Sequence, residues 1–258
     1  MLVTDRRRKF LFELENVYFA QDWRQYRTHC DVVLFYCTGT DPAGLDHGAV
    51  THTIHIDLSG DEAQLLGAMR KSTRQDIRRA LQNPGLSAEC LRAPDAAQLN
   101  AFCQLYDRFA HGKGIRRIDR PHLFRLLEAH CLALLYVRGP DGEVLCGEAD
   151  IVLPERCYGA YAFTTFRERA DRQLAGQANK LLYWHAMRNG KAEGCRVYDM
   201  AGLAERGEGA ALSGIDAFKR GFGGVVVAEN NFYHGYTLKG KLLVLLFKVM
   251  RKNLDGWD

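Results

Sequence analysis

Residues 173–184 of this chain read Gln-Leu-Ala-Gly-Gln-Ala-Asn-Lys-Leu-Leu-Tyr-Trp, and they carry the most informative local pattern in the sequence. It follows a period-two run of apolar residues, and the apolar residues then recur at helical spacing until Gly194. The pattern predicts a strand, a glycine turn and a helix over about 178–193. Backbone N–H groups at such a helix start bind anions, and Gly176 has no side chain to obstruct a ligand. The turn is either a diphosphate site or a plain structural connection.

Upstream, the chain alternates between helical and strand patterns. Ser59 and Glu62 form a capping-box pattern before an amphipathic helix that ends at Asn83-Pro84-Gly85. Later predicted elements are helices starting at Pro94-Asp95 and at Asp119, three antiparallel strands across residues 131–166, and a strand across residues 196–200. This order predicts a mixed α/β fold with a largely antiparallel sheet flanked by helices.

The N-terminal residues predict short strands over residues 10–19, 31–37 and 51–58. We therefore expect three segments in the chain. They are a strand-rich extension over residues 1–50, a main domain over residues 51–237 and a basic, apolar helix over residues 238–258.

The composition is that of a folded globular protein. Of 258 residues, 47% are hydrophobic and 26% are charged, so the chain can bury a core. The N-terminus is too charged for a secretory signal, and no window approaches the about 20 apolar residues of a membrane-spanning helix. We expect a cytoplasmic protein. The apolar run Leu242–Phe247, bracketed by lysines, predicts either packing on the sheet or peripheral contact with the inner face of an anionic membrane.

Eight cysteines are scattered without a Cys-x-x-Cys pair or a cluster with histidine. This pattern predicts buried, reduced thiols, with no metal site and no disulfide framework. The net charge of +4 permits an anionic ligand but does not by itself indicate a nucleic-acid-binding protein.

Two groups of basic residues are candidates for anion binding. Lys219 and Arg220 precede a Gly-Phe-Gly-Gly turn, where they either bind phosphate and offset an oxyanion or are ordinary surface charges. The helix after Ser59 carries five basic residues, most of them on one face: Arg70, Lys71, Arg74, Arg78 and Arg79. That face either contacts a polyanion such as a tRNA acceptor stem or is simply solvated.

Three carboxylates are candidates for the proton transfers of acyl transfer. Glu148 and Asp150 point to the same face of one predicted strand, and Asp199 ends the next strand after the glycine turn. Asp199 is the first candidate for the base, because strand ends in such sheets open onto the cleft. Each carboxylate has a structural alternative as a hydrogen-bonded core group. Phe163, on the strand before the turn, either lines a donor channel or belongs to the core.

The turn Gln173-x-x-Gly176-x-Ala178 resembles the pyrophosphate loop of the GNAT superfamily of acyltransferases. Further segments resemble the Fem-like branch, whose best-known members are peptidoglycan aminoacyl ligases: residues 56–59, 71–80, 177–184, 198–202 and 215–224. The resemblance implies that the loop holds coenzyme A while the preceding strand holds its pantetheine arm. It also implies donor contacts from Gln177 and Asn179, an acidic residue at Asp199 and a functional Lys219.

Together, these residues and the resemblance predict an N-acyltransferase with no tightly bound cofactor. The donor is acyl-coenzyme A, slightly favoured by the glycine turn, or aminoacyl-tRNA, favoured by the basic helix and the Fem-like segments. The acceptor is a primary amine, which family habits suggest belongs to a cell-envelope or amino-sugar precursor. With aminoacyl-tRNA as the donor, the alternative is a peptide bond formed on a peptide or peptidoglycan-type acceptor. The alternative is a non-catalytic GNAT-like binding domain.

Overall fold

The computed structural model describes residues 3–20, 22–38, 47–165, 172–203 and 210–250. In chain order the elements are β1 (Val3–Lys9), β2 (Phe12–Tyr18), β3 (Val32–Thr38), β4 (His47–Asp57), α1 (Glu62–Ala68), α2 (Lys71–Gln82), β5 (Ser87–Leu91), α3 (Ala96–Lys113), α4 (Arg120–Glu128), β6 (Leu132–Arg138), β7 (Val144–Val152), β8 (Arg156–Thr164), α5 (Arg172–Ala192), β9 (Val197–Gly202), α6 (Ala210–Arg220), β10 (Val225–Gly235) and α7 (Leu238–Val249). The predicted mixed α/β fold with a largely antiparallel sheet is confirmed.

Contacts divide the chain into two compact units. One unit contains the residues up to Thr53 and those from Val227 onward, and the other contains Ile54–Val226. Strands β4 and β10 contribute residues to both units. The three segments expected from the sequence remain a prediction about domains.

The first unit consists of strands with one helix packed on them. Its strands follow the order β1, β2, β3, β10, β4, with β2 and β3 parallel and the pairs β1–β2 and β3–β10 antiparallel. The single strand expected over residues 10–19 is instead the second strand of a hairpin that turns at Phe10 and Leu11. Helix α7 packs three buried residues, Leu243, Val244 and Phe247, against the apolar side chains of β2, β3 and β10.

The second unit has strands in the order β4, β9, β8, β7, β6, β5, with helices on both faces. Helix α5 lies against β5 to β9, with α2 packed on it, while α3 lies against β8 and α4 against β6. Leu135 and Val137 belong to the core under α5, whereas the ring of Tyr136 contacts Phe102 of α3. Because strand residues alternate between faces, α5 and α3 cover opposite faces.

A β-bulge at Ala160 interrupts the ladder between β7 and β8. The extra residue reverses the alternation of side chains along β8. Consequently Cys157 and Gly159 face α5, whereas Tyr161 and Phe163 contact the aromatic rings of α3. The bulge thus makes room on the α5 face while keeping aromatic packing on the other.

The Gly-Phe-Gly-Gly turn after α6 requires its last two glycines. Gly223 and Gly224 have φ angles of 84° and 81°, which L-residues rarely adopt. A Cβ atom on Gly224 would lie 2.5 Å from the carbonyl oxygen of His55, and one on Gly223 would lie 2.8 Å from that of Ala68. The two glycines therefore allow this turn to approach the backbone of β4 and of α1 closely.

The helix after β4 differs from the prediction in its cap and its continuity. The capping box uses Asp61, whose carboxylate accepts from the N–H of Gln64, while the side chain of Gln64 accepts from the N–H of Asp61. The predicted box of Ser59 and Glu62 was wrong, because the N–H of Ser59 donates to Asp57 instead. The expected single helix is also broken into α1 and α2 at Met69.

Two further element boundaries were misjudged, and two elements were missed. Helix α5 begins at Arg172 rather than near Ala178, because the Gln-Leu-Ala run at 173–175 favours helix and Gly176 is tolerated. Strand β9 continues to Gly202, where the Lys219 ammonium binds its last carbonyls. Helix α6 and strand β10 were not predicted at all.

Candidate functional site

Two carboxyl groups lie buried on the α5 face of β7. Glu148 and Asp150 are 1% and 0% exposed. The hydroxyl of Tyr198, on β9, donates to Oε2 of Glu148 at 3.0 Å, and the thiol of Cys157 donates to Oδ2 of Asp150 at 3.4 Å. Oδ1 of Asp150 has no hydrogen-bond partner within the part of the chain that the structure describes. The pair is therefore incompletely hydrogen-bonded, and it can accept a hydrogen bond from one more donor.

Burial makes both carboxyl groups resist ionisation. It raises the pKa of Asp150 to about 7. It also raises the pKa of Glu148 well above the usual 4.5, and the charge of Asp150 adds to this effect. A carboxyl group with a pKa of about 7 is partly protonated at neutral pH, whereas an exposed carboxyl group is ionised there.

Gly159 creates the space that the Glu148 carboxylate occupies. A Cβ atom at this position would lie 2.4 Å from Oε1 of Glu148 and 3.2 Å from the hydroxyl of Tyr198. The glycine sits beside the bulge on β8, directly opposite Asp150 in the ladder. The position of the carboxylate thus depends on the absence of a side chain at residue 159.

Lys219 brings a buried cation to the end of β9. It lies on α6, it is 9% exposed, and its ammonium donates to the carbonyl oxygens of Ala201 and Gly202 at 3.3 and 2.7 Å. Burial lowers the pKa of Lys219 below 10.5, while the negative charges of Glu148 and Asp199 act in the opposite direction. The ammonium therefore lies within electrostatic range of Glu148 and of Asp199.

Asp199 is held by several groups in the interior of the second unit. It lies in the middle of β9, not at the strand end where the sequence placed it, because β9 continues for three more residues. Its carboxylate pairs with the guanidinium of Arg156, accepts from the N–H of Ala201 at 2.9 Å and lies 3.7 Å from Nε2 of His55. This network orients Asp199 and balances its charge.

The site lies where the parallel pairing of β8 and β9 ends. Among the described residues, the register pairs residues 156–158 with residues 197–199, and β8 then continues to Thr164. Gly159, which makes room for Glu148, is the first residue beyond this ladder. A strand that runs past its ladder offers a backbone edge to which an extended ligand with amide groups can add.

The predicted donor-binding residues are distributed along the first turns of α5. Gln173 is exposed in the first turn, and among the described residues no atom outside the adjoining helical backbone lies within 4 Å of the position that a Cβ of Gly176 would take. Asn179 is half-buried, whereas Gln177 and Ala178 are buried. The first turn of α5 thus presents accessible backbone around Gln173, while residues 166–171 before it lie outside the described residues.

Phe163 occupies a different place from the carboxylates. It is buried and packs edge-to-face on Phe102 of α3, with ring centroids 5.3 Å apart. It therefore lies on the sheet face opposite Glu148 and Asp150. This contact agrees with the core alternative for Phe163 that the sequence left open.

The predicted anion-binding arginines differ in their surroundings. The guanidinium of Arg74 donates to the last carbonyls of α1, so part of its hydrogen-bonding capacity is used structurally. Arg78 and Arg220 are exposed. The N–H of Arg70 donates to the carbonyl of Gly221 at 2.9 Å, which places the start of α2 beside the end of α6.

Four side chains of the site were missed from the sequence: His55, Arg156, Cys157 and Tyr198. Tyr198 directly precedes Asp199 in β9, so the period of two places it on the opposite sheet face from Asp199. This alternation could have indicated the position of Tyr198 from the sequence. Cys157 and Arg156 join the site through the bulge and the parallel pairing with β9, which the local pattern does not reveal.

Comparison with known proteins identifies a family. Residues 67–220 match the family model described as Acetyltransferase (GNAT) domain. This match covers more than half of the chain and includes α2 to α6. No curated protein matches the chain in sequence.

Solved structures share the fold at low sequence identity. The structure of FemX superposes with a TM-score of 0.67 at 12% identity, covering 97% of this chain and 86% of FemX. The C-terminal domain of a putative lysylphosphatidylglycerol synthetase from Agrobacterium fabrum gives 0.56 at 15% identity, covering 92% and 82%. L-PGS from Bacillus licheniformis gives 0.56 at 12% identity, covering 98% and 87%. At these identities the likeness concerns the fold.

Proposed function

This chain belongs to the GNAT acetyltransferase family, and from that premise we propose that it transfers an acyl group from an acyl thioester of coenzyme A to a primary amine. The observation that carries the proposal is the buried pair Glu148 and Asp150, beside Gly159 at the end of the β8–β9 ladder. Acyl transfer from a thioester needs a base at the amine and positive charge near the oxyanion. The pair and Lys219 supply groups for both roles.

The base acts on the amine. An alkyl amine is protonated at neutral pH, so it must lose a proton before or during its attack on the thioester carbonyl. In the proposed reaction the amine nitrogen forms the amide bond, the carbon–sulfur bond breaks, and the proton passes to Asp150 or Glu148. A carboxyl group with a pKa of about 7 accepts a proton and releases it again near neutral pH.

Lys219 is the candidate for stabilising negative charge. Its ammonium lies within electrostatic range of Glu148 and is held by the carbonyls at the end of β9. Such a fixed cation lowers the energy of the tetrahedral oxyanion or of the departing thiolate without reorganisation. Asp199, paired with Arg156, is assigned a positioning role in β9.

In this proposal the donor binds at the start of α5 and along the edge of β8. The first turn of α5 has N–H groups without helical partners, and these suit the diphosphate of coenzyme A near Gln173 and Gly176. The amide groups of pantetheine suit the part of β8 that follows the ladder. This arrangement directs the thioester toward Gly159 and the carboxylate pair.

A second candidate donor is aminoacyl-tRNA. The exposed basic residues of α2 favour it, because phosphate contacts from lysine and arginine supply most of the affinity for nucleic acids. The C-terminal domain of a putative lysylphosphatidylglycerol synthetase has the same fold, which is compatible with this second candidate. The acceptor in both cases is a primary amine, and we assign it to an amino-sugar or cell-envelope precursor.

The two donors are separated by binding. Acetyl-coenzyme A at about 100 times its Kd adds about 2.7 kcal/mol to the free energy of unfolding, so a clear rise in Tm is expected. Aminoacyl-tRNA is tested by filter binding at low and high salt, where specific phosphate contacts give a steep loss of affinity. A Tm shift without tRNA binding supports the thioester donor. Salt-sensitive tRNA binding without a Tm shift would replace it by the second candidate.

The catalytic assignment is tested by a matched pair of lysine variants. Lys219→Met is expected to lower kcat by about 10²- to 10³-fold, the usual loss on removal of an oxyanion-stabilising group. The control is Lys191→Met, because the Lys191 ammonium also donates to backbone carbonyls, those of Leu58 and Gly60, but has no contact with the pair. Equal losses in both variants, or none with Lys219→Met, would remove Lys219 from the catalytic assignment. Absence of transfer by the unmodified protein would favour a non-catalytic binding domain.

A further inference from the structure

Helix α7 carries a stripe of large apolar residues on its solvent side. The residues of this α7 stripe are between 51% and 87% exposed: Leu238, Leu242, Leu245, Leu246 and Val249. Their spacings of three, four and seven place them on one helix face, about 100° wide. Leu243, Val244 and Phe247, on the opposite face, are already buried against β2, β3 and β10. The side chains of the stripe are therefore not used to pack α7 against the strands of its unit.

Lysines border the stripe on both sides. Lys241 and Lys248 lie along one edge, and Lys239 lies along the other. The helix contains no aspartate or glutamate. Lys239 pairs with Asp31, which leaves Lys241 and Lys248, both exposed, as the cations beside the leucines. Long lysine side chains at the borders of an apolar face let that face enter a lipid surface while their ammonium groups stay among head groups.

The turn between β1 and β2 adds two more apolar side chains. Phe10 and Leu11 are 78% and 74% exposed, and Phe10 has a φ of 52°, which strongly favours glycine or asparagine. The ammonium of Lys239 donates to the carbonyl of Leu11 at 2.8 Å, so the turn lies next to the first turn of α7. Two adjacent, exposed apolar side chains at the tip of a turn suit insertion between lipid head groups.

We propose that the α7 stripe, together with the turn at Phe10 and Leu11, binds the surface of an anionic lipid bilayer. A bilayer fits better than a second copy of this chain, because a symmetric contact through the stripe brings Lys241 and Lys248 against the same residues of the other copy. Anionic head groups provide the opposite charge for both lysines. The 12-residue helix is about 18 Å long, which suits a position in the plane of the interface.

No helix in the described ranges combines the length and apolar character needed to cross a membrane. The proposed contact is accordingly interfacial, through one face of α7 and one turn. Its affinity comes from the apolar side chains and from the lysines, so two independent sets of substitutions test it.

The experiment is flotation of the full chain with vesicles. One set contains phosphatidylcholine with about 30% phosphatidylglycerol, and the other contains phosphatidylcholine alone. We expect binding to the first set only, and a clear weakening when the salt is raised from about 0.1 M to about 0.5 M. Leu242→Gln/Leu246→Gln is expected to lower the partition coefficient by about a hundredfold, and Lys241→Gln/Lys248→Gln by about tenfold or more.

The matched control is Leu81→Gln/Ile115→Gln, which removes two equally exposed apolar residues from the second unit. This variant should float like the unmodified protein. Circular dichroism and Tm of the leucine variants should be unchanged, because the substituted side chains are exposed. Absence of wild-type binding, or equal binding by the Leu242→Gln/Leu246→Gln variant, would overturn the proposal. A concentration-dependent dimer that this variant abolishes, without vesicle binding, would assign the stripe to a second copy.

Discussion

Replacing Asp150 by asparagine removes an ionisable group from the buried face of β7, and we expect the variant to lose part of the pH dependence of stability. The pKa of Asp150 is raised from 3.8 to about 7 by burial. A carboxyl group with a raised folded-state pKa contributes stability that is fully present below the unfolded pKa and is lost as the pH rises through the folded pKa. The full difference between the unfolded and folded pKa values corresponds to about 4 kcal/mol of stability. About 2 to 3 kcal/mol of this stability is lost between pH 5 and pH 8.

The measurement is urea unfolding of the wild type and Asp150→Asn at half-unit steps across that range. Between pH 5 and pH 8, the free energy of unfolding of the variant should rise by about 2 to 3 kcal/mol relative to that of the wild type, because asparagine carries no charge to bury. Asp141→Asn, in the exposed turn before β7, is the control and should follow the wild-type curve. Parallel curves for Asp150→Asn and the wild type would refute the assignment of a buried, proton-holding pair.

Two further predictions concern the fold. Gly224→Ala should lower the free energy of unfolding by about 2 kcal/mol or more, because the φ of Gly224 is positive and the new Cβ meets the carbonyl of His55. The control is Gly67→Ala in α1, where the new Cβ has open space. It should be neutral or slightly stabilising in the same urea titration. Asp61→Ala should cost about 1 kcal/mol through loss of the cap, while Ser59→Ala should cost far less. Equal effects of the last two substitutions in thermal unfolding would contradict the observed capping box.

The element types were predictable because most have strong local signals. The helices starting after Asp95 and Asp119 begin at caps that the sequence displays, and the meander of β6 to β8 alternates clearly. Helix α6 and strand β10 were missed because glycine-rich and polar segments surround them. The start of α5 was misplaced because a single glycine was interpreted as the end of a turn rather than as a tolerated helix residue.

The candidate site was only partly predictable. Glu148 and Asp150 were paired correctly by period two, and Lys219 was picked out by its turn. The surroundings of Asp199 were not visible, because Arg156 reaches it only through the parallel pairing of β8 with β9, which joins segments about 40 residues apart. The position of Phe163 depended on the bulge at Ala160, and local periodicity carries no signal for it.

Gly159 gives the site a simple diagnostic for relatives of this chain. The glycine and Glu148 occupy complementary volumes, so one methyl group at residue 159 displaces the carboxylate from the hydroxyl of Tyr198. A related sequence that keeps the glutamate but has a larger residue at 159 would retain the fold while losing this arrangement. Glycine and alanine codons differ at a single base. One nucleotide change at residue 159 would therefore be enough to lose this arrangement or to restore it.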